Sequence, residues 1–218
     1  MNKNIVILIS GSGSNLQSFI DSIKNQQLDA SIAAVISNKA DAYGLQRATQ
    51  NQIPTHVIEH GAFETREAFD KQLAQTIEQY QPRLVVLAGF MRILSPTFVN
   101  IFHGRLLNIH PSLLPKYPGL HTHQRALDSQ DEYHGSSVHF VTEELDGGPI
   151  IAQARLKLAT FSEPESLQKA VQQLEHQLYP KVAAWFLGEQ ITMKDNGVYF
   201  ESKKLEQPIV IDDFENSQ

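Results

Sequence analysis

The chain contains no cysteine. That excludes a disulfide scaffold, a thiol nucleophile and a thiolate metal site, and it fits a reducing compartment. Long apolar runs are missing too. The first one, Ile5-Val6-Ile7-Leu8-Ile9, is broken at once by Ser10-Gly11-Ser12-Gly13 and is too short for a secretory apolar segment. No stretch approaches the roughly 20 apolar residues of a membrane span. Positive charge is in deficit, with 18 Lys and Arg against 24 Asp and Glu and a formal charge of −6. Nucleic-acid binding needs a net basic surface, so it is not expected, although a local patch can still hold one small anion. The expectation is a soluble, cytoplasmic protein whose partners are small molecules, with no nucleic acid, no membrane and no metal, present as a monomer or homodimer.

What is there has the composition of an ordinary globular protein, 41% hydrophobic and 19% charged over 218 residues. Three short apolar runs, Ile5–Ile9, Ser31–Ile36 and Leu84–Ala88, read as strands buried on both faces. Between them lie helical patterns at Leu16–Ile23, Gly44–Gln52 and Arg66–Tyr80, the last with Phe69, Leu73 and Ile77 four apart. Strands alternating with helices predict right-handed βαβ units and a mostly parallel sheet, an α/β Rossmann-like fold with helices on both faces. Thr55–Ile58 adds an edge strand. Arg105–His110 is a fourth core strand, stopped by Pro111, and Pro115 and Pro118 keep 112–119 as an extended loop. His121–Leu127 reads as a short helix. Ser136–Val141 and Ile150–Leu158 read as strands joined by Thr142–Pro149. A long helix follows to Leu187, with Ser162 expected as its N-cap and Pro164 in its first turn. Asp195-Asn196-Gly197 marks a hairpin between Ile191–Lys194 and Val198–Phe200. The acidic tail after Pro208 is expected to be loose. One continuous domain is the simpler organisation.

Ser10-Gly11-Ser12-Gly13-Ser14-Asn15-Leu16 lies between the first strand and the first helix. Glycines there permit a tight turn and let backbone N–H groups approach a ligand, Ser14 and Asn15 offer side-chain donors, and a helix N-terminus favours negative charge. A phosphate is the natural guest. A dinucleotide fingerprint would place a third glycine where Leu16 stands, which disfavours a nicotinamide cofactor. The alternative is a turn that merely needs glycines.

Asn108 and His110 are two apart in a strand, so their side chains leave on one face, at a carboxyl end where open α/β sheets hold ligands. An amide donor beside an imidazole suits an oxyanion. A carboxylate nearby favours the imidazolium, and Asp146 in Asp146-Gly147-Gly148-Pro149 is a candidate. Spacing alone leaves the pair open between a site and a strand end with satisfied hydrogen bonds, and favours an ordinary turn for Asp-Gly-Gly. His121 and His123 lack a third metal ligand at suitable spacing. His139 faces away from Val138 and Phe140, toward either core or cleft.

Four motifs in order carry a resemblance to the phosphoribosylglycinamide formyltransferase family: Ser10-Gly11-Ser12-Gly13-Ser14-Asn15, Ala88-Gly89-Phe90-Met91-Arg92-Ile93-Leu94, Asn108-Ile109-His110-Pro111-Ser112-Leu113-Leu114-Pro115 and Leu145-Asp146-Gly147-Gly148-Pro149. The resemblance spans about residues 5–186. It implies transfer of a formyl group from 10-formyltetrahydrofolate, a co-substrate, to the amine of glycinamide ribonucleotide, without metal. It further implies that Asn108, His110 and Asp146 are catalytic and that Gly13, Ser14, Asn15 and Glu175 bind the ribonucleotide. Arg66, Met91, Arg92, Ile93, Leu94, Asn108, Thr142, Glu143, Glu144, Leu145 and Asp146 would line the folate pocket. On this reading residues 1–218 form one formyltransferase domain, about 1–100 its nucleotide half and about 101–200 its catalytic and folate-binding half, with 208–218 a tail. Methionyl-tRNA formyltransferase, which usually adds a C-terminal RNA-binding domain, and formyltetrahydrofolate deformylase, which usually adds an N-terminal regulatory domain, share parts of the signature. A nucleotide sensor without catalysis is the alternative from another class.

Overall fold

A computed structural model describes residues 2–212. Its centre is an eight-stranded sheet made of β1 (Asn4–Ile9), β2 (Ser31–Ser37), β3 (Thr55–Val57), β4 (Leu84–Leu87), β5 (Leu106–His110), β6 (Tyr133–Phe140), β7 (Ile150–Lys157) and β11 (Ile209–Asp212), in the order β11-β7-β6-β5-β4-β1-β2-β3. Every neighbouring pair is parallel except β5–β6 and β6–β7, so β6 alone is reversed. The mostly parallel α/β sheet is therefore as the alternation of strands and helices predicts.

The strands are apolar because both faces are covered. Alternate residues of β1 serve different cores: Ile5, Ile7 and Ile9 pack with Leu16 and Phe19 of α1 (Ser14–Lys24) and with Leu174 and Leu178 of α6 (Pro164–Leu187). Val6 and Leu8 pack with Phe69, Leu73 and Ile77 of α3 (Arg66–Glu78) and with Phe98 of α4 (Pro96–Ile101). The remaining helices are α2 (Tyr43–Gln50) and α5 (Thr122–Asp128). A small antiparallel sheet of β8 (Ile191–Lys194), β9 (Gly197–Phe200) and β10 (Lys203–Lys204) follows α6.

Strand order fixes where a ligand can lie. From β1 the chain steps outward through β2 to β3, then returns to β4 on the other side of β1. The order reverses between β1 and β4, and at such a point the loops leaving the carboxyl ends diverge and leave a crevice.

Three expectations are corrected. The N-cap of α6 is Glu163, not Ser162, because Pro164 takes the first helical position directly after it. The segment after Pro208 is not loose over 209–212: it pairs in parallel with β7, Ile209 and Ile211 pack on the core, and Arg155 forms an ion pair with Asp212. The rest of that tail, 213–218, lies outside the described residues. Residues 112–119 form a succession of turns rather than an extended loop, with Lys116 N donating to Leu113 O at 3.1 Å.

Candidate active site

A cavity of about 280 Å³ opens at the reversal point between β1 and β4. Ser10–Asn15 form one wall, Ala88, Gly89 and Met91 after β4 another, and Val171, Gln172 and Glu175 of α6 a third, with Ile109 and Pro111 of the β5 end beside them.

The glycine-rich loop is shaped by close packing. Gly13 has φ +69°, and a Cβ on it would stand 2.6 Å from Gly44 Cα, so no other residue fits without displacing α2. The carbonyls of Gly11 and Gly13 are taken by Gly44 N at 3.0 Å and Gln17 N at 2.9 Å. The first N–H groups of α1 have no acceptor within their own helix and stand at the positive end of its dipole. One detail departs from expectation. The Asn15 side chain donates to Glu175 Oε2 at 2.9 Å, so its amide is engaged within the protein. Ser14 Oγ accepts from Gln172 Nε2 at 2.8 Å. Sequence reasoning does not single out Gln172, although its position three before Glu175 places it on the same helical face. Burial pushes the Glu175 carboxyl up to about 7, only partly countered by the Asn15 hydrogen bond.

Asn108 and His110 alternate with Ile109 and Pro111, so they stand beside the cavity on the strand's other face rather than among its lining residues. Asn108 pairs across the sheet with His139 of β6. His139 Nδ1 lies 2.9 Å from the Phe140 carbonyl, which can only accept, so Nδ1 carries the proton and Nε2 is a bare acceptor. Asn108 Nδ2 donates to that Nε2 at 3.2 Å. Burial holds the His139 imidazole below its ordinary range, which keeps it in this neutral form. One Asn108 N–H is thus committed and the other is left for a ligand. Sequence reasoning leaves His139 open between core and cleft; the structure buries it, 2% exposed, with its ring bonded to Asn108.

His110 is oriented from the far side. Its Nε2 donates to the Tyr117 carbonyl at 2.9 Å, leaving Nδ1 to face Asp146 Oδ2 at 3.5 Å, with both side chains 8% exposed. Asp146 Oδ2 also accepts from Gly119 N at 2.9 Å. The chain around Asp146 is tightly constrained: φ there is +52°, tolerated by Asp better than by most residues, and a Cβ on Gly148 would lie 1.8 Å from the Phe140 carbonyl. Asp-Gly-Gly is more than an ordinary turn, since it delivers the carboxylate to the β5 histidine. Ser137 Oγ steadies the intervening loop, donating to Ser112 O and accepting from Leu114 N and Gln153 Nε2 at 2.7, 3.0 and 2.9 Å.

The segments assigned to folate present an apolar surface. Met91, Ile93 and Leu145 are among the exposed large hydrophobic residues, and Leu94 packs on the second core. Met91 N donates to Ser10 Oγ at 2.8 Å, tying this segment to the glycine-rich loop. The Arg92 guanidinium lies 5.8 Å from the Phe69 ring centroid, and its Nε is buried without a partner. Thr142, Glu143 and Glu144 border a second cavity with Asn100, whose side chain donates to Glu143 at 2.9 Å. Arg66 stands at the start of α3 facing Glu67 at 3.5 Å and is not among the residues lining either cavity. His123 Nδ1 lies 3.0 Å from His134 Nε2, and no group of three metal-ligating side chains occurs among the described residues.

A parallel sheet with a glycine-rich loop at its reversal point and an Asn-His-Asp group at the end of β5 has a counterpart among known proteins. The chain belongs to the formyl transferase family, whose sequence model matches residues 3–183. Within it, the chain is similar to the phosphoribosylglycinamide formyltransferase of Escherichia coli K12, 54% identical over 202 residues that cover 93% of this chain and 95% of that protein. The Haemophilus influenzae protein of the same name is 46% identical over 93% of this chain and 96% of its own length. A solved phosphoribosylglycinamide formyltransferase from Coxiella burnetii superposes with a TM-score of 0.93 and 49% identity, covering 97% of this chain and all of that one.

Proposed function

We infer that the protein transfers the formyl group of 10-formyltetrahydrofolate to the amine of 5-phosphoribosylglycinamide, giving the N-formyl ribonucleotide and tetrahydrofolate. The observation that carries the reading is the pairing of His110 with Asp146, with Asn108 two residues earlier on the same face of β5, next to a cavity walled by a glycine-rich loop suited to a phosphate. In this reading about 1–100 bind the ribonucleotide, with Gly13, Ser14 and Asn15 on its phosphate and Glu175 contacting the same substrate, and about 101–200 carry the chemistry and much of the folate site. Met91–Leu94, Arg66 and Thr142–Asp146 line the folate site.

The amine arrives neutral and attacks the formyl carbon. The carbonyl π electrons move to oxygen, and the oxyanion is held by the free Asn108 N–H and by the positive charge of protonated His110 beside it. Asp146 supplies the counter-charge for that imidazolium. The amine nitrogen gives up a proton to the Asp146 carboxylate, which passes it to the folate nitrogen as the oxyanion electrons re-form the carbonyl and the bond from carbon to folate nitrogen breaks. His139 keeps the Asn108 amide aimed.

The test is spectrophotometric release of the folate product from 10-formyltetrahydrofolate, with and without the ribonucleotide. Turnover only when the ribonucleotide is present is the expected result. Turnover without it would make the protein a deformylase, and saturable ribonucleotide binding with no turnover would make it a sensor.

A further inference from the structure

A loop can offer its N–H groups to an anion only if its carbonyls, which carry negative charge, are held elsewhere. In this protein the work is done from α2. Gly44 N takes the Gly11 carbonyl at 3.0 Å, and Arg47 Nε takes the Ser12 carbonyl at 2.9 Å. The seat is tight, since a Cβ on Gly44 would meet Ile9 Cδ1 at 2.5 Å and Gly13 Cα at 3.1 Å. Arg47 is fixed by two further partners: its Nη1 donates to Gln17 Oε1 at 3.1 Å, and its guanidinium carbon lies 5.0 Å from the centroid of the Tyr43 ring. All of these partners are neutral. Among the described residues Arg47 forms no ion pair with a carboxylate; Asp21, on the same cavity, is one hydrogen bond further off, accepting from Gln17 Nε2 at 2.9 Å. That charge reaches across the adjoining cavity, where it adds to burial in lowering the His176 imidazole and is opposed by Asp21, which raises it.

We propose that Arg47 is a positioning residue for the ribonucleotide phosphate, turning the Ser12 carbonyl away from the cleft and placing a positive charge behind the anion-binding loop. It reaches the substrate through the Ser12 peptide and through its field, and the inference rests on the reading that this loop takes the substrate phosphate. A guanidinium suits the task because its planar fork can bond the Ser12 carbonyl and Gln17 together, which a lysine ammonium on a flexible stem does less well.

The experiment compares wild type, R47K and R47Q on two substrates, the ribonucleotide and its dephosphorylated riboside, at fixed 10-formyltetrahydrofolate, with thermal melts to establish that each variant folds. R47Q is expected to raise KM for the ribonucleotide about tenfold, equivalent to roughly 1.4 kcal/mol, with kcat within about twofold and KM for the folate unchanged. On the riboside R47Q should match wild type, because there is no phosphate to lose. R47K, which keeps the charge but not the fork, should fall between. Inhibition by inorganic phosphate supplies the same comparison without turnover, and its Ki should rise in R47Q. Equal losses on both substrates would mean that Arg47 only supports the fold and would overturn the proposal, as would an unchanged KM and Ki. Wild-type protein that transfers formyl to the riboside as well as to the ribonucleotide would instead remove the assignment of the loop to the phosphate.

Discussion

Asn108, His110 and Asp146 each have a partner that fixes their aim: the neutral His139, the Tyr117 carbonyl and the Gly119 N–H. Because such donors act on charge that develops in the transition state, Asn108→Ala and His110→Ala should each lower kcat by about 10²–10³ while leaving KM for the ribonucleotide within a few-fold, as steady-state kinetics would show. Near-normal turnover in either variant would remove that residue from the chemistry. Glu175 makes a different prediction. Its carboxyl titrates near 4.5 when exposed and near 7 in the fold. The folded state therefore favours the protonated form, and this contribution is present below pH 4.5 and lost as pH rises through 7. Each tenfold change in proton affinity is worth about 1.4 kcal/mol, so Glu175→Gln should stabilise the free protein by up to about 3 kcal/mol at pH 8. At pH 4.5 the gain should be small, and denaturant unfolding at the two pH values measures both. The same variant should bind the ribonucleotide more weakly, since it trades a carboxylate for an amide at the proposed substrate contact.

At the scale of elements, the turns of 112–119 depend on β6 and β7 through the Ser137 hydroxyl. Ser137→Ala leaves buried groups on Leu114 and Ser112 without that partner. It should cost about 1–3 kcal/mol of stability by thermal or chemical unfolding, and reduce kcat because the loop carries the Tyr117 carbonyl that orients His110. Long periodic segments such as α1, α3 and α6 are legible in the sequence because their apolar spacing reports a buried face. The six-residue α4 is not, since it is too short to show a period, and Ile209–Asp212 is masked by the acidic residues that follow it. The Asn108 and His110 spacing is visible, and so is the glycine-rich turn. The long-range partners are not. His139, Gln172 and Arg47 act through contacts that only the fold makes, and nothing in their local sequence distinguishes them from ordinary surface or core polar residues.

Across the whole molecule, the sheet's reversal between β1 and β4 gathers segments from both halves of the chain into one crevice, so the proposed binding and chemistry draw on distant stretches of sequence. Acid should loosen it from the β6 side. Burial and the neighbouring His123 lower the His134 imidazole from 6.5 to about 4. The unfolded chain takes up that proton first, so this contribution to stability is present above pH 6.5 and lost as pH falls toward 4. His134→Gln should flatten the pH dependence of unfolding in that window. Every role assigned to the crevice depends on formyl transfer to the ribonucleotide amine. The most direct measurement uses 10-formyltetrahydrofolate labelled with heavy carbon in the formyl group and follows the label by mass spectrometry. Its appearance in the N-formyl ribonucleotide, with none released as formate, is the predicted result. Recovery of the label as free formate, with the ribonucleotide unchanged, would contradict it.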